Sequence, residues 1–187
     1  MSEITQGGPS SKSINVLVTI DAEALKKSGL PPGASESTPT MINDPTLLSN
    51  VFFMICTGSR GIISGQGTDK LNFKANAGDS VAFEGITVDG NSDDAVIIYG
   101  IDEKAHQVFN EFRSIQITRT KAVQPASAKS GLPAVVLSRN FLSYQTTVAR
   151  SGVSEFLIKF ALYKLADDGQ SQVLVGYYKY DPKITVA

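Results

Sequence analysis

Several stretches of the chain alternate apolar with polar residues at the period of two that marks a strand with one buried face. Ile14, Val16, Val18 and Ile20 alternate with Asn15 and Thr19. Leu71 and Phe73 precede an Asn76-Ala-Gly78-Asp79 turn and the run Val81-Ala82-Phe83, a spacing that predicts a hairpin. Leu142, Tyr144, Thr146 and Val148 share one face of a strand. The clearest pattern comes last: Phe156, Ile158, Phe160 and Leu162 alternate, Asp167-Asp168-Gly169 turns the chain, and Val173 to Tyr180 returns as the second half of a hairpin. Val51 to Thr57 and Ala95 to Ile101 are apolar enough for buried strands. Ile115 and Ile117 share a face opposite a wet one carrying Ser114, Gln116, Thr118 and Thr120.

The segments between these runs are turn-rich. Asp21 to Gly29 offers an N-cap, helix formers and a terminal glycine, enough for one or two helical turns before Pro31-Pro32. From residue 34 to Asn50 the Ser, Thr, Pro and Asn content predicts a long loop, with Asn43-Asp44-Pro45 as a turn signal. Residues 58–67 read as turns, and residues 121–133, holding Pro125 and Pro133, as a second linker. Residues 1–13 are Ser- and Gly-rich and read as a disordered leader. About eight to ten short strands without βαβ alternation predict an all-β fold over residues 14–187, a single domain: an antiparallel two-sheet β-sandwich, jelly-roll-like, with little helix. Its core should hold Val16, Val18, Phe83, Phe156, Ile158 and Phe160.

Composition then removes function classes. A formal net charge of -1 gives no electrostatic grip on phosphate backbones, so nucleic acid is not an expected partner. No basic patch followed by an apolar stretch opens the chain, and no apolar run approaches the ~20 residues a spanning helix needs, so a cytoplasmic protein with no membrane partner is expected, any release being non-classical. Cys56 is the only cysteine and His106 the only histidine. The apolar setting of Cys56 predicts a buried, inert thiol, and the charged surroundings of His106 predict an exposed turn residue. Together they leave no Ser-His-Asp or Cys-His apparatus, no blue-copper ligand set and no zinc site of the usual type, so an enzyme is not expected.

Three weaker motifs remain. Asp89-Gly-Asn91-Ser-Asp93-Asp94 opens like a calcium loop but carries Asp94 where a glycine belongs and Gly100 where the bidentate glutamate belongs. It reads as a polar loop, no cofactor is expected, and only a calcium site with distant ligands such as Asp79 stays open. Ser64-Gly65-Gln66-Gly67-Thr68 matches no phosphate-binding loop and reads as a turn. Tyr177, Tyr178 and Tyr180 could stack on sugar rings, but strand spacing splits them between two faces, and packing is the preferred role.

Taken together, Ile14-Asn-Val-Leu-Val-Thr-Ile-Asp21, Ser64-Gly-Gln-Gly-Thr68 leading into Leu71-Asn-Phe-Lys-Ala, Ala77-Gly-Asp79, Asn91 before Val96-Ile-Ile-Tyr99, and the terminal Gly176-Tyr-Tyr-Lys-Tyr-Asp-Pro-Lys-Ile-Thr-Val186 resemble the AidA and PixA family of bacterial inclusion-body proteins. Tyr180 stands where that family usually shows Trp, and 3 Met are few beside its methionine-rich members, which places the chain nearer the AidA branch. The resemblance implies a non-enzymatic, quorum-sensing-associated protein that acts in host interaction or accumulates inside the cell.

The leading molecular expectation is a ligand-binding sandwich, lectin-like and with glycans as the partner class, using Asp21, Asn43, Asp44, Asn91 and Asp93. The alternative is a structural accumulation protein with no small ligand. A homo-oligomer is expected in either case, because Val173 to Tyr180 carries only Lys179 as protection against edge pairing.

Overall fold

The computed structural model describes residues 10–105 and 108–187. His106 and residues 1–9 of the expected leader lie outside the described residues. The fold is mostly β, with two mixed sheets packed over one continuous hydrophobic core. The first sheet has the order β3-β1-β6-β9-β8, from β1 (Ser13–Ile20), β3 (Phe52–Thr57), β6 (Ser80–Thr87), β8 (Arg113–Gln124) and β9 (Val135–Thr147). The second is built on β10 (Gly152–Leu165). One edge of β10 pairs with β7 (Ala95–Ala105). The other pairs with β11 (Gln172–Tyr180) and then β12 (Lys183–Val186), Ile158 facing Tyr180 and Glu155 facing Lys183, so the last two strands run on as one. Short strands β2 (Thr40–Ile42), β4 (Ile62–Ser64) and β5 (Asn72–Phe73) complete it.

The expected core residues Val16, Val18, Phe83, Phe156, Ile158 and Phe160 are all buried. Period-2 alternation therefore marked the inward faces correctly. Two aromatic groups span the sheets. Phe83 meets Phe156 edge-on at 5.6 Å, with Phe109 and Phe112 beside them, and Phe52 stacks on Tyr180 at 3.8 Å.

Five expectations are corrected. The sheets are mixed: β1 runs parallel to β6, β2 to β11 and β5 to β12. The expected hairpin of residues 71–83 does not form, since β5 pairs with β4 and β12 while β6 lies in the other sheet. The Asn76–Asp79 turn carries the chain between sheets instead of folding it back. The 34–50 loop contains β2 and ends in α2 (Pro45–Val51), so Val51 closes a helix and the strand begins at Phe52. Asp44 caps α2 and Pro45 occupies its first turn, the positions their chemistry favours. The linker of residues 121–133 is shorter, because β8 continues to Gln124. Finally, β11 is covered over its C-terminal part, though not over Gln172–Val175. Tyr178 to Tyr180 pair with β2, and Gly33 bridges Tyr177. A Cβ on Gly176 would lie 2.4 Å from the Pro32 Cβ, which shows how closely this crossing segment seals the strand. Tyr178 and Tyr180 are core residues.

Among the described residues helix is confined to α2 and to α1 (Ala22–Lys27), which Asp21 caps by accepting from the Ala24 N–H at 2.8 Å. Gly29, at φ 72°, then turns the chain out of the helix, a conformation glycine adopts without steric cost.

A buried ion pair joins the starts of β1 and β6. Arg60 clasps Asp79 in a bidentate pair at 2.7 and 2.8 Å, and Asp79 is 1% exposed. The same carboxylate accepts from the Lys12 and Asn76 N–H groups, each at 2.8 Å. Arg60 and these amides outweigh the opposing effect of burial and hold the Asp79 carboxyl far below the usual carboxylate range. A depressed pKa adds stability that is present above the unfolded value near ~4 and is lost as pH falls below it. Asp79→Asn should cost about 3 kcal/mol at neutral pH, the low end for breaking a buried pair because the Arg60 side chain is 22% exposed. The variant should also lose less stability than the native chain between about pH 4 and pH 2, read by denaturant titration at each pH. An unchanged acid response would exclude Asp79 as its source.

The Tyr180 hydroxyl is buried without a hydrogen-bond partner among the described residues, and burial pushes its pKa up. Because a buried unpaired donor costs about 1–3 kcal/mol, Tyr180→Phe should raise stability by about 1 kcal/mol, measured as a higher melting temperature. A lower one would reveal a partner for the hydroxyl.

Candidate functional site

The end of the sheets where β1 passes into α1 and β6 turns toward β7 forms a polar cleft of about 570 Å³. Asp21, Glu23, Asp89, Asp93 and Asp94 line it opposite Lys26 and Lys164. Lys26 reaches both Asp94 oxygens, at 2.6 and 2.8 Å. Lys164 has no ion pair among the described residues. Carboxylates thus outnumber cations, and the cleft suits cationic or hydroxyl-rich groups.

The floor is set by Thr87, which is 2% exposed. Its hydroxyl contacts Asp89, accepts from the Asn91 N–H at 2.8 Å and lies 2.8 Å from the Asp94 carbonyl. One hydroxyl proton can serve only one acceptor, and the Asp89 carboxylate is the strongest of those present. Burial raises the Asp89 pKa, but the Thr87 hydroxyl and the Asp94 and Asp93 N–H groups outweigh it and leave the carboxyl below its ordinary value. Asn91 takes φ 63°, tolerable for Asn, and its side-chain oxygen accepts from the Thr87 and Val96 N–H groups at 2.9 and 3.2 Å. From the far hairpin, the Gln172 side-chain nitrogen lies 3.0 Å from the Ser92 carbonyl and 3.2 Å from those of Asn91 and Asp93, which share its two N–H donors.

Of the residues expected to bind ligand, Asp21 and Asp93 line this cleft and Asn91 braces its wall. Asn43 and Asp44 do not line it. Asn43 is exposed, and Asp44, the cap of α2, lines a separate hollow beside Gly29 and Leu30. Sequence reasoning missed Lys26, Thr87 and Lys164. Lys26 sits within the Asp21–Gly29 helix motif and Thr87 lies two residues before the Asp89 loop, but nothing local signals Lys164, which arrives from a distant strand. Among the described residues no three Asp, Glu, His or Cys side chains are grouped to hold a metal ion. Asp79, considered as a distant calcium ligand, has both oxygens engaged by Arg60 and backbone N–H groups. Among the described residues no aromatic ring lines the cleft. Cys56 is 4% exposed, and burial pushes its thiol up against the opposing contact of Ser59.

A second surface lies at the edge of the first sheet. Among the described residues β8 pairs only with β9, and β9 meets β6 only from Tyr144 to Thr147. Residues 116–124 and 135–142 therefore form a two-stranded ribbon with both outer edges bare. Ile115, Ile117, Val135, Leu137 and Phe141 mark one face and Val123, Val136 and Leu142 the other; all are exposed, Leu137 by 55% and Val123 by 73%. Between the ribbon and the body runs a mainly apolar groove of about 350 Å³, lined by Leu17, Glu84, Ile86, Val96, Ile97 and Phe141 among others.

These features define a two-sheet β protein with a carboxylate-rich cleft at one end and an uncovered ribbon at one edge. The chain belongs to the PixA inclusion body protein family, whose sequence profile matches residues 12–186. An inclusion body protein of that family from Burkholderia cenocepacia, known from its crystal structure, is 28% identical, and the match covers 96% of this chain and 98% of that one with a TM-score of 0.79. No curated protein matches. No helix among the described residues is long and apolar enough to cross a membrane.

Thr87→Val, which keeps the shape and removes the hydroxyl, should cost about 1–3 kcal/mol and speed amide exchange in residues 89–94. Unchanged exchange there would show that Asn91 and Gln172 hold the loop without it.

Proposed function

We propose that this chain is a non-enzymatic cytoplasmic protein that works by self-association, accumulating as assemblies of its own copies. The observation that carries this reading is the β8–β9 ribbon. An isolated two-stranded ribbon is marginal in water, and one with apolar side chains exposed on both faces gains stability chiefly by being covered. Membership in an inclusion body protein family is consistent with that use.

A second reading rests on the cleft. Asp21, Asp93 and Lys164 stand at a wall braced by Thr87, Asn91 and Gln172, a pre-ordered polar surface of the kind that holds hydroxyl-rich ligands, and a lectin-like role in host interaction under quorum-sensing control would use it. It ranks second because among the described residues no ring lines the cleft to stack on a sugar face.

Sedimentation of the full chain from micromolar to millimolar concentration tests the first reading. The expected result is a mass that rises above the 19.9 kDa of one chain. A constant 19.9 kDa would reject it. A glycan array comparing the native chain with Asp93→Ala would then decide the second.

A further inference from the structure

We propose that the outer face of the β8–β9 ribbon binds the surface of an anionic lipid bilayer, lying in the headgroup layer without crossing it. This goes beyond self-association and is independent of it; the two share only the premise that the ribbon gains by being covered.

The formal net charge of -1 hides a segregation of charge along the chain. All 18 acidic residues lie outside residues 112–154, while Arg113, Arg119, Lys121, Lys129, Arg139 and Arg150 lie within them. The ribbon is therefore a basic arm on an acidic body. Arg119 stands directly opposite Arg139, and neither they nor Lys121 and Lys129 have an ion pair among the described residues. Like charges directly opposite are destabilising, so the fold alone gains nothing from this arrangement. An anionic partner compensates it.

The chemistry of the face narrows that partner. By the β8–β9 register Ile115, Ile117, Arg119, Leu137, Arg139 and Phe141 share the face turned away from Tyr144, whose ring packs against the core. The four apolar residues are exposed, and the Arg139 guanidinium lies 5.3 Å from the centre of the Phe141 ring. On the opposite face Val123, Val136 and Leu142 stand among Ser114, Gln116, Thr118 and Asn140, so that side is the more polar. Apolar groups flanking guanidinium groups on one face suit a lipid interface, where the apolar parts enter the headgroup–acyl boundary and the cations stay at the phosphates.

Other anionic partners fit less well. Nucleic acid would engage the cations but leave the aliphatic side chains idle, and residues 113–140 hold no aromatic ring to stack on bases. A second ribbon laid on the first would bring cations onto cations. The bare strand edges limit the depth, because their N–H and C=O groups need water and cannot enter the hydrocarbon. The expectation of no membrane partner concerned segments that cross a bilayer, whereas this arm lies on one. The cytoplasmic leaflet is anionic, so such a surface exists in the compartment proposed for the chain.

The test floats the full chain with vesicles on a density gradient, in which a self-assembled particle sinks and a vesicle-bound chain rises. Vesicles of equimolar phosphatidylglycerol and phosphatidylcholine should carry it up, pure phosphatidylcholine should not, and added salt should weaken the binding. Arg119→Gln with Arg139→Gln should lower binding roughly twentyfold, at ~fivefold for each cation near an anionic surface. Leu137→Ser with Phe141→Ser, at unchanged charge, should lower it about tenfold. Hydroxyl-radical footprinting of the native chain needs no variant: on anionic vesicles Leu137 and Phe141 should be protected and Val123 should not. Equal binding to both kinds of vesicle, full binding by either variant, or protection of Val123 instead of Leu137 overturns the proposal. Retention by single-stranded RNA without vesicle binding overturns it in favour of nucleic acid. A chain that rises with no vesicle also overturns it, and leaves self-association to its own sedimentation test.

Discussion

The Arg60–Asp79 pair is the contact on which the arrangement of both sheets depends. β1 and β6 lie side by side and parallel, Ser13 opposite Ser80, although about sixty residues separate them. Parallel neighbours cannot be joined by a tight turn, so the chain between them must leave the sheet and return at the same end. Asp79 marks the return. Its carboxylate takes the Lys12 N–H just before β1, the Asn76 N–H of its own turn and the Arg60 guanidinium from the segment after β3, while its backbone carbonyl accepts from the Val148 N–H beyond β9. One buried charge therefore sets the register of three strands of the first sheet. Without Arg60 that charge would be uncompensated in the interior, so the pair acts as a unit.

The segment enclosed between β1 and β6 supplies much of what is not core. Both helices, β2, β4 and β5 lie within it. Its two helix caps, Asp21 and Asp44, are carboxylates whose first duty is to the backbone. Asp21 also borders the cleft, so a structural cap and a surface for ligand share one side chain. The 89–94 loop combines roles in the same way, since Thr87, Asp89 and Asn91 spend their polar atoms on one another and leave Asp93 and Lys164 at the surface.

Body and ribbon obey different physics. In the body, apolar faces from two sheets meet and aromatic pairs such as Phe83–Phe156 lock them at edge-on angles. In the ribbon the pairing of Ile117 with Phe141 and Val123 with Val136 continues, but no second layer lies over it among the described residues. The same alternation that builds a core in one place builds an uncovered surface in the other, because pattern determines which side chains share a face and not what that face meets.

What the sequence determined by itself follows from that distinction. Alternation identified the inward residues of β1, β6 and β10, the Asp167-Asp168-Gly169 turn identified the last hairpin, and the Asp21 cap, the helix formers after it and Gly29 identified α1, since each is a local consequence of residue spacing. Asp21 and Asp93 were legible as polar residues beside turns. Only the tertiary structure decided that Asp93 and Lys164 line one cleft, that Asp44 belongs to another hollow, that Phe73 and Phe83 lie in different sheets, and that Tyr178 and Tyr180 sit in the core while Leu137 and Val123 stand in the open. Those outcomes depend on which strand lies beside which, and strand neighbours far apart in sequence are chosen by burial and by contacts such as Arg60 with Asp79, which no local pattern contains.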